Sequence, residues 1–311
     1  MTKLGPAETM GLTPPAARCS PRQGDQMKLM SFRHADRESF GAVVDDDVID
    51  LSGPSGSPTL AEFIAGDSYA EREALVAQGN PIPLAEVTYL PVIPRPEKIV
   101  ASVRNYMDHH QEALASGLKR ELSDFPPIFL RVWRSQVAHE GAIIRPNVSE
   151  TLDWEGELAV IIGPGGRDIP VESAWEHVAG YSIYNDASVR EFQFHAKQIA
   201  AGKNFESTGG FGPWMVTADE IEPGRELKLE TRLNDEVVQT GNTGQMIFGI
   251  PQLINYASTI FTLAPGDVII TGTPSGVGFS RKPQRYMKPG DVVEVEIEAI
   301  GILRNPIEAQ K

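Results

Sequence analysis

From Lys28 onward, apolar and polar positions alternate in runs of strand length, most clearly towards the C-terminus. Leu227, Leu229, Thr231 and Leu233 alternate with Lys228, Glu230 and Arg232 before Asn234-Asp235, which is the pattern of a hairpin. Val293, Val295, Ile297 and Ala299 alternate with Glu294, Glu296 and Glu298 after the turn Pro289-Gly290-Asp291, so one face of that strand should be solvated. The longest apolar runs, such as 158–163 and 267–272, are of strand length, short enough for buried strands. Nearer the N-terminus the pattern predicts strands at 40–44 and 48–51, then a helix over 60–78. A second helix is expected over 251–261, where Leu253, Ile254, Ala257, Ile260 and Phe261 form one stripe with proline in the first turn. The fold class read from these elements is mainly β with added helices (α+β). No repeat of solenoid length, regular strand–helix alternation, Gly-x-Gly-x-x-Gly or Walker loop is present, which speaks against doubly wound nucleotide-binding folds.

Three segments follow. Residues 1–26 show no periodicity and contain Pro14-Pro15 and Pro21, so a disordered tail is expected. Residues 27–92 read as a small N-terminal α+β domain. Three prolines between Pro91 and Pro96 suit an extended connection, and residues 93–311 read as the larger, strand-rich domain.

Composition narrows the function. Forty-two acidic against 28 basic side chains leave a formal charge of −14, which disfavours nucleic acid and anionic membrane surfaces as partners. An acidic protein that handles an anionic substrate must build a local positive site from a metal ion or inward-facing Lys and Arg. Cys19 is the only cysteine, so neither an intrachain disulfide nor a thiolate metal site is available. With no secretory-type leader pattern, a cytoplasmic location is expected.

Two clusters carry candidate chemistry. Read as one strand, 152–163 places Asp153, Glu155 and Glu157 on a face that turns apolar at Ala159 and Ile161, so the glutamates should be partly buried around something positive. Asp186, at the end of another apolar run, supplies a third carboxylate. With no cysteine and no obvious histidine among them, the set suits a hard cation, Mg²⁺ first, with Mn²⁺ or Ca²⁺ as alternatives. Spacing alone also fits a Glu-x-Glu on a surface strand. In the second cluster, 102–113, His109 and Glu112 share a face if the segment is helical, and an imidazole held by a carboxylate makes a base able to activate water. The same spacing admits Asp108 with Glu112, His110 in place of His109, or a plain surface helix.

Taken together, these segments resemble the fumarylacetoacetate hydrolase family over residues 98–306. The likeness runs in order through Asn105-Tyr-x-Asp-His-x-x-Glu112, Leu152-Asp-Trp-Glu-x-Glu-Leu-Ala159, Tyr181 to Asn185-Asp186 with Gln193, Gly202-Lys-Asn-Phe205 with Gly212-Pro-Trp214, and Thr271-Gly-Thr-Pro-Ser-Gly-Val-Gly278. The resemblance implies a β-sandwich roll around a divalent metal held by Glu155, Glu157 and Asp186. It implies His109 and Glu112 as the water-activating pair, Lys203 as a cationic contact, and a homodimer. Arg104, Tyr106, Gln193 and Thr273 are the implied substrate contacts. Arg131 stands where many relatives have Lys, and with Ser135 it is a further candidate contact, alongside Arg134. The polar segment 113–125 has the look of a lid. The implied substrate is a small oxo-acid. Metal-assisted hydrolysis of a C–C bond in an acylpyruvate-like 1,3-dicarbonyl is the first expectation, with isomerisation of a hydroxymuconate-type dienol or decarboxylation of a 2-oxo diacid as alternatives. A binding-only homologue is the last alternative.

Overall fold

The computed structural model describes residues 26–115, 117 and 122–311. The expected N-terminal tail, apart from Gln26, and part of the lid-like segment 113–125 lie outside the described residues. Among those described, no helix is long and apolar enough to cross a membrane.

The architecture is mainly β with added helices. A long sheet runs in the order Asn80–Pro83, Asp47–Asp50, Arg37–Val44, Lys28–His34, Gly209–Thr217, Val178–Asn185, Gly156–Ile162, Val268–Ile270, Ile99–Ser102 and Ile128–Arg131. A second sheet contains Glu236–Asn242, Lys228–Leu233, Val292–Ile297, Gly301–Ala309 and Ile143–Arg145. Gly156–Ile162 is buried along its whole length because both of its faces are covered. Ala159 and Ile161 pack with Leu29, Phe40 and Phe63 on one side. Leu158, Val160 and Ile162 pack with Leu229, Val295, Leu303 and the helix Ile250–Ile260 on the other. A sandwich of two sheets results, with the amphipathic helix closing it.

The hairpin between Lys228–Leu233 and Glu236–Asn242 turns through Asn234 and Asp235, both with positive φ, as a two-residue turn requires. On the solvated face of this sheet Arg232 reaches Glu230, Glu294 and Glu296, so the expected acidic ladder is partly neutralised. The helix expected over 60–78 is broken: Leu60–Ala65 stops where Gly66 turns extended, and the chain resumes as a 3₁₀ turn, Asp67–Glu71, and the short helix Arg72–Val76.

Residues 27–92 are joined to the larger part of the chain through a shared sheet. Leu29 lies opposite Met215 and Lys28 opposite Val216, so the first strand extends the large sheet by pairing along Gly209–Thr217. An edge that would otherwise present open N–H and C=O groups is thereby covered. The proline-rich segment continues the contact, since Val92 and Ile93 are buried in the same core as Phe40 and Val268 and the Ser31 hydroxyl donates to the Val92 carbonyl at 2.8 Å. Thermal unfolding is accordingly expected as a single transition. Leu29→Ala should lower the whole transition by about 2–5 kcal/mol, as for other fully buried leucines, with calorimetry as the check. Two resolved transitions, only one of them moved, would mean that residues 27–92 unfold independently.

Candidate metal centre and active site

Gly156–Ile162 and Val178–Asn185 are antiparallel neighbours with Gly156 opposite Asn185, so the chain just before one strand meets the chain just after the other. The junction is stitched by the Asp186 N–H to the Glu155 carbonyl at 2.8 Å and the Glu155 N–H to Asn185 Oδ1 at 2.9 Å. Glu155, Glu157 and Asp186 therefore converge, each offering an oxygen within 4.8 Å of the others, and all three are buried. Asp153 does not join them. The strand breaks at Trp154 and Glu155, and beyond the break Asp153 is turned away from the triad.

Basic side chains from three further segments surround the carboxylates. Lys203 Nζ lies 2.6 Å from Glu155 Oε2 and 2.6 Å from Asp186 Oδ2. Arg190 Nη1 is 2.6 Å from Glu155 Oε1, and Arg131 pairs with Asp186. Burial pushes the Glu155 carboxyl up, but Lys203 and Arg190 outweigh it and hold the group down at about 2. Glu157 goes the other way. Burial, then Asp186 and Glu155, push its carboxyl well above the usual range, and the charge of Lys203 and the Gly272 N–H at 2.5 Å only partly offset them. Among the described residues no basic side chain pairs with Glu157. Three buried carboxylates, one of them lacking a cationic partner, form an all-oxygen donor set that fits a hard divalent cation.

The helix Met107–Ala115 carries the second cluster. His109 Nδ1 is 3.1 Å from Glu112 Oε2, and Glu112 Oε1 accepts from the Gly276 N–H at 2.9 Å. Nδ1–H donation to Glu112 leaves Nε2 as the basic nitrogen. His109, Glu155, Glu157, Asp186 and Lys203 all line one cavity of about 190 Å³. Of the alternatives that spacing left open, Asp108 is exposed and His110 lines a different cavity with Phe248 and Ile247. Asn105 fixes this helix to the Gly-rich turn, donating to the carbonyls of Phe248 and Thr271 at 2.8 Å each and accepting from the Phe248 N–H.

Of the other expected contacts, Arg104, Gln193 and Thr273 line the cavity. The Thr273 hydroxyl is engaged with the Gly156 carbonyl at 2.9 Å and Gln239 Nε2 at 2.8 Å. Gln193 Oε1 accepts from Arg190 at 2.9 Å. Four expected contacts are placed elsewhere. Tyr106 is buried and is not among the lining residues. Arg131 and Ser135 sit behind the carboxylates, where Arg131 spends its donors on Asp186, Ser135, Thr208 and the Ala187 carbonyl, so it supports the triad and does not face substrate. Arg134 is exposed and pairs with Glu206. Spacing gave no sign of Arg190, which bridges Asp153 and Glu155, or of the apolar wall of Phe129, Phe194, Ile199, Val277 and Phe279. These residues meet through tertiary folding alone.

Residues 98–308 match the C-terminal domain of fumarylacetoacetate (FAA) hydrolase. The chain belongs to the fumarylacetoacetate hydrolase family. It is 39% identical over 292 residues to the mitochondrial oxaloacetate tautomerase of Homo sapiens, covering 90% of this chain and 91% of that one. A fumarylacetoacetate hydrolase from Exiguobacterium antarcticum superposes with a TM-score of 0.79 at 34% identity, covering 91% of this chain and all of the other. Maleylpyruvate hydrolase from Sphingobium sp. SYK-6, solved with manganese(II) and pyruvate, superposes at 0.76 with 27% identity over 92% of this chain and all of the other. Members of this family are enzymes, and the buried acidic triad of this one could hold a divalent metal ion.

With the Glu157 carboxyl pushed up by burial and by Asp186 and Glu155, cation binding is expected to compete with a proton there. Mn²⁺ affinity should fall as pH drops below that raised value, by about tenfold per pH unit for one displaced proton. Titration calorimetry in two buffers of different ionisation heat counts the proton, and Glu157→Gln should abolish both its release and most of the binding. Affinity that does not change with pH would show Glu157 already ionised.

Proposed function

We propose that this chain catalyses enol–keto interconversion of a small 2-oxo diacid of the oxaloacetate kind. The observation that carries the reading is that a histidine base and a buried carboxylate triad open into one small cavity. The likeness to an oxaloacetate tautomerase over nine-tenths of both chains supports isomerisation ahead of the hydrolysis first expected from the motifs.

A divalent cation held by Glu155, Glu157 and Asp186 supplies Lewis acidity towards the oxygens of an oxo-acid. The chain's own residues do the rest. His109, with Nδ1 engaged by Glu112, takes the proton from the enol oxygen at Nε2 and returns a proton to the adjacent carbon, so nothing is gained or lost overall. The reverse direction uses the same nitrogen. Arg104, Lys203 and Arg190 supply positive charge around an anionic substrate in a protein whose net charge is negative. Phe129, Val277 and Phe279 limit water at the reacting carbon, which favours return of the proton over hydrolysis.

Hydrolysis of a C–C bond in an acylpyruvate is the second reading. It is favoured by the same His109–Glu112 pair, which can equally deprotonate water, and by the similarity to a maleylpyruvate hydrolase. The human relative is named as mitochondrial and lends no support to the cytoplasmic place expected for this chain.

Ultraviolet absorbance of the enol, followed with Mg²⁺ or Mn²⁺, tests the assignment. Chelation with EDTA is expected to return the rate to that of buffer. His109→Ala should lower kcat on the order of 10²- to 10⁴-fold, as loss of a positioned base does, while leaving Mn²⁺ binding in place. Cleavage of an acylpyruvate with no acceleration of oxaloacetate tautomerisation would replace this reading with the hydrolytic one.

A further inference from the structure

Asp153 is fully buried, does not line the cavity, and yet accepts four hydrogen bonds. Oδ1 takes the N–H groups of Trp154 at 2.9 Å and Gly278 at 2.7 Å. Oδ2 takes the Phe279 N–H at 2.9 Å and Arg190 Nε at 2.8 Å. Every neighbour is a donor, so only a carboxylate serves all of them. An amide would turn its NH₂ towards at least one donor.

Two paths lead from this carboxylate to the site. Arg190, held at Nε by Asp153, delivers Nη1 to Glu155 Oε1 at 2.6 Å and to Gln193 at 2.9 Å. Along the chain, the Gly278 and Phe279 N–H groups fixed by Asp153 lie two and three residues beyond Gly276, whose N–H holds Glu112 at 2.9 Å. Glu112 in turn orients His109. One end of each path is a member of the triad or of the proton-transfer pair.

We propose that Asp153 is a positioning residue that fixes both halves of the active site in one frame: Glu155 through Arg190, and the His109–Glu112 pair through the loop from Gly276 to Phe279. Its partners converge from segments distant in sequence, so it registers the two halves against each other. Ligand-orienting groups of this kind typically change metal affinity or activity on the order of tenfold to a hundredfold when removed. The turnover arm of the test rests on the proposed tautomerase reading, whereas the metal arm does not.

The experiment compares the full-length protein with Asp153→Asn, Arg190→Gln and the double variant, using Mn²⁺ titration calorimetry, thermal melts, and kcat and KM for oxaloacetate at saturating Mn²⁺. Asp153→Asn is expected to weaken Mn²⁺ binding on the order of tenfold or more, and to lower kcat with little change in KM, since Asp153 lines no part of the cavity. The double variant should bind Mn²⁺ as Arg190→Gln does, because Asp153 reaches the metal ligands through Arg190. Should Asp153→Asn strand a buried guanidinium and fail to fold, the double variant removes both charges and carries the comparison alone. Wild-type Mn²⁺ affinity and kcat in a folded Asp153→Asn with only a lower melting temperature would overturn the proposal, as would a double variant that binds more weakly than Arg190→Gln. If the wild type itself does not tautomerise oxaloacetate, the function reading falls and the Mn²⁺ comparison still decides the role of Asp153.

Discussion

Three carboxylates share one water-poor corner of this protein, and much of the catalytic half is arranged around that electrostatic problem. Like charges at this separation in a low-dielectric site disfavour each other's ionisation, and an uncompensated buried charge costs several kcal/mol. Arg131 answers Asp186, Arg190 answers Glu155, and Lys203 lies between the two. Among the described residues Glu157 has no ion-pair partner of its own and accepts from the Gly272 N–H. The site is thus charged and unevenly neutralised, a state suited to a hard divalent ion.

The Gly-rich turn after Val268–Ile270 is the mechanical counterpart of that cluster. Within eight residues its N–H groups reach Glu157 from Gly272, Glu112 from Gly276, and Asp153 from Gly278 and Phe279. Gly272 and Gly276 adopt φ of +100° and +104°, in the left-handed region that a side chain would strain. The backbone itself therefore tells the carboxylate triad and the His109–Glu112 pair where to stand, and the other side chains that line the cavity are free to differ in chemistry. Such an arrangement suits a family whose members carry out hydrolysis and isomerisation on related oxo-acids, because the reaction can change with the wall while the frame persists.

The large sheet supplies rigidity for this frame. Gly156–Ile162 and Val178–Asn185 are buried throughout, with cores on both faces, so the ends that carry Glu155, Glu157 and Asp186 have little freedom to move. The first strand completes one of these layers by covering Gly209–Thr217. Residues far from the chemistry thereby contribute to the stiffness of the floor beneath it.

Much of this was legible in the amino-acid sequence because the signals are local. The alternation around Leu229 and Val295 revealed strands with one wet face, since side chains in a strand point to opposite sides in turn. The ordered motifs singled out Glu155, Glu157, Asp186, His109, Glu112 and Lys203; five of these line one cavity, and Glu112 holds His109 from beside it. Other features depend on approach between distant segments, which no local period encodes. The choice of His109 over His110 follows from the rotation of a helix pinned by Asn105 to a turn 166 residues away. The withdrawal of Asp153 from the triad follows from a break at Trp154 that lets it meet Arg190 and Phe279, and Arg131 is turned from a substrate contact into a support by Asp186 and Thr208. The sequence by itself determined which chemical groups the protein owns and the strands that carry them. The tertiary structure decided which groups line the cavity and which stand behind, because burial and pairing are set by neighbours that only folding brings together.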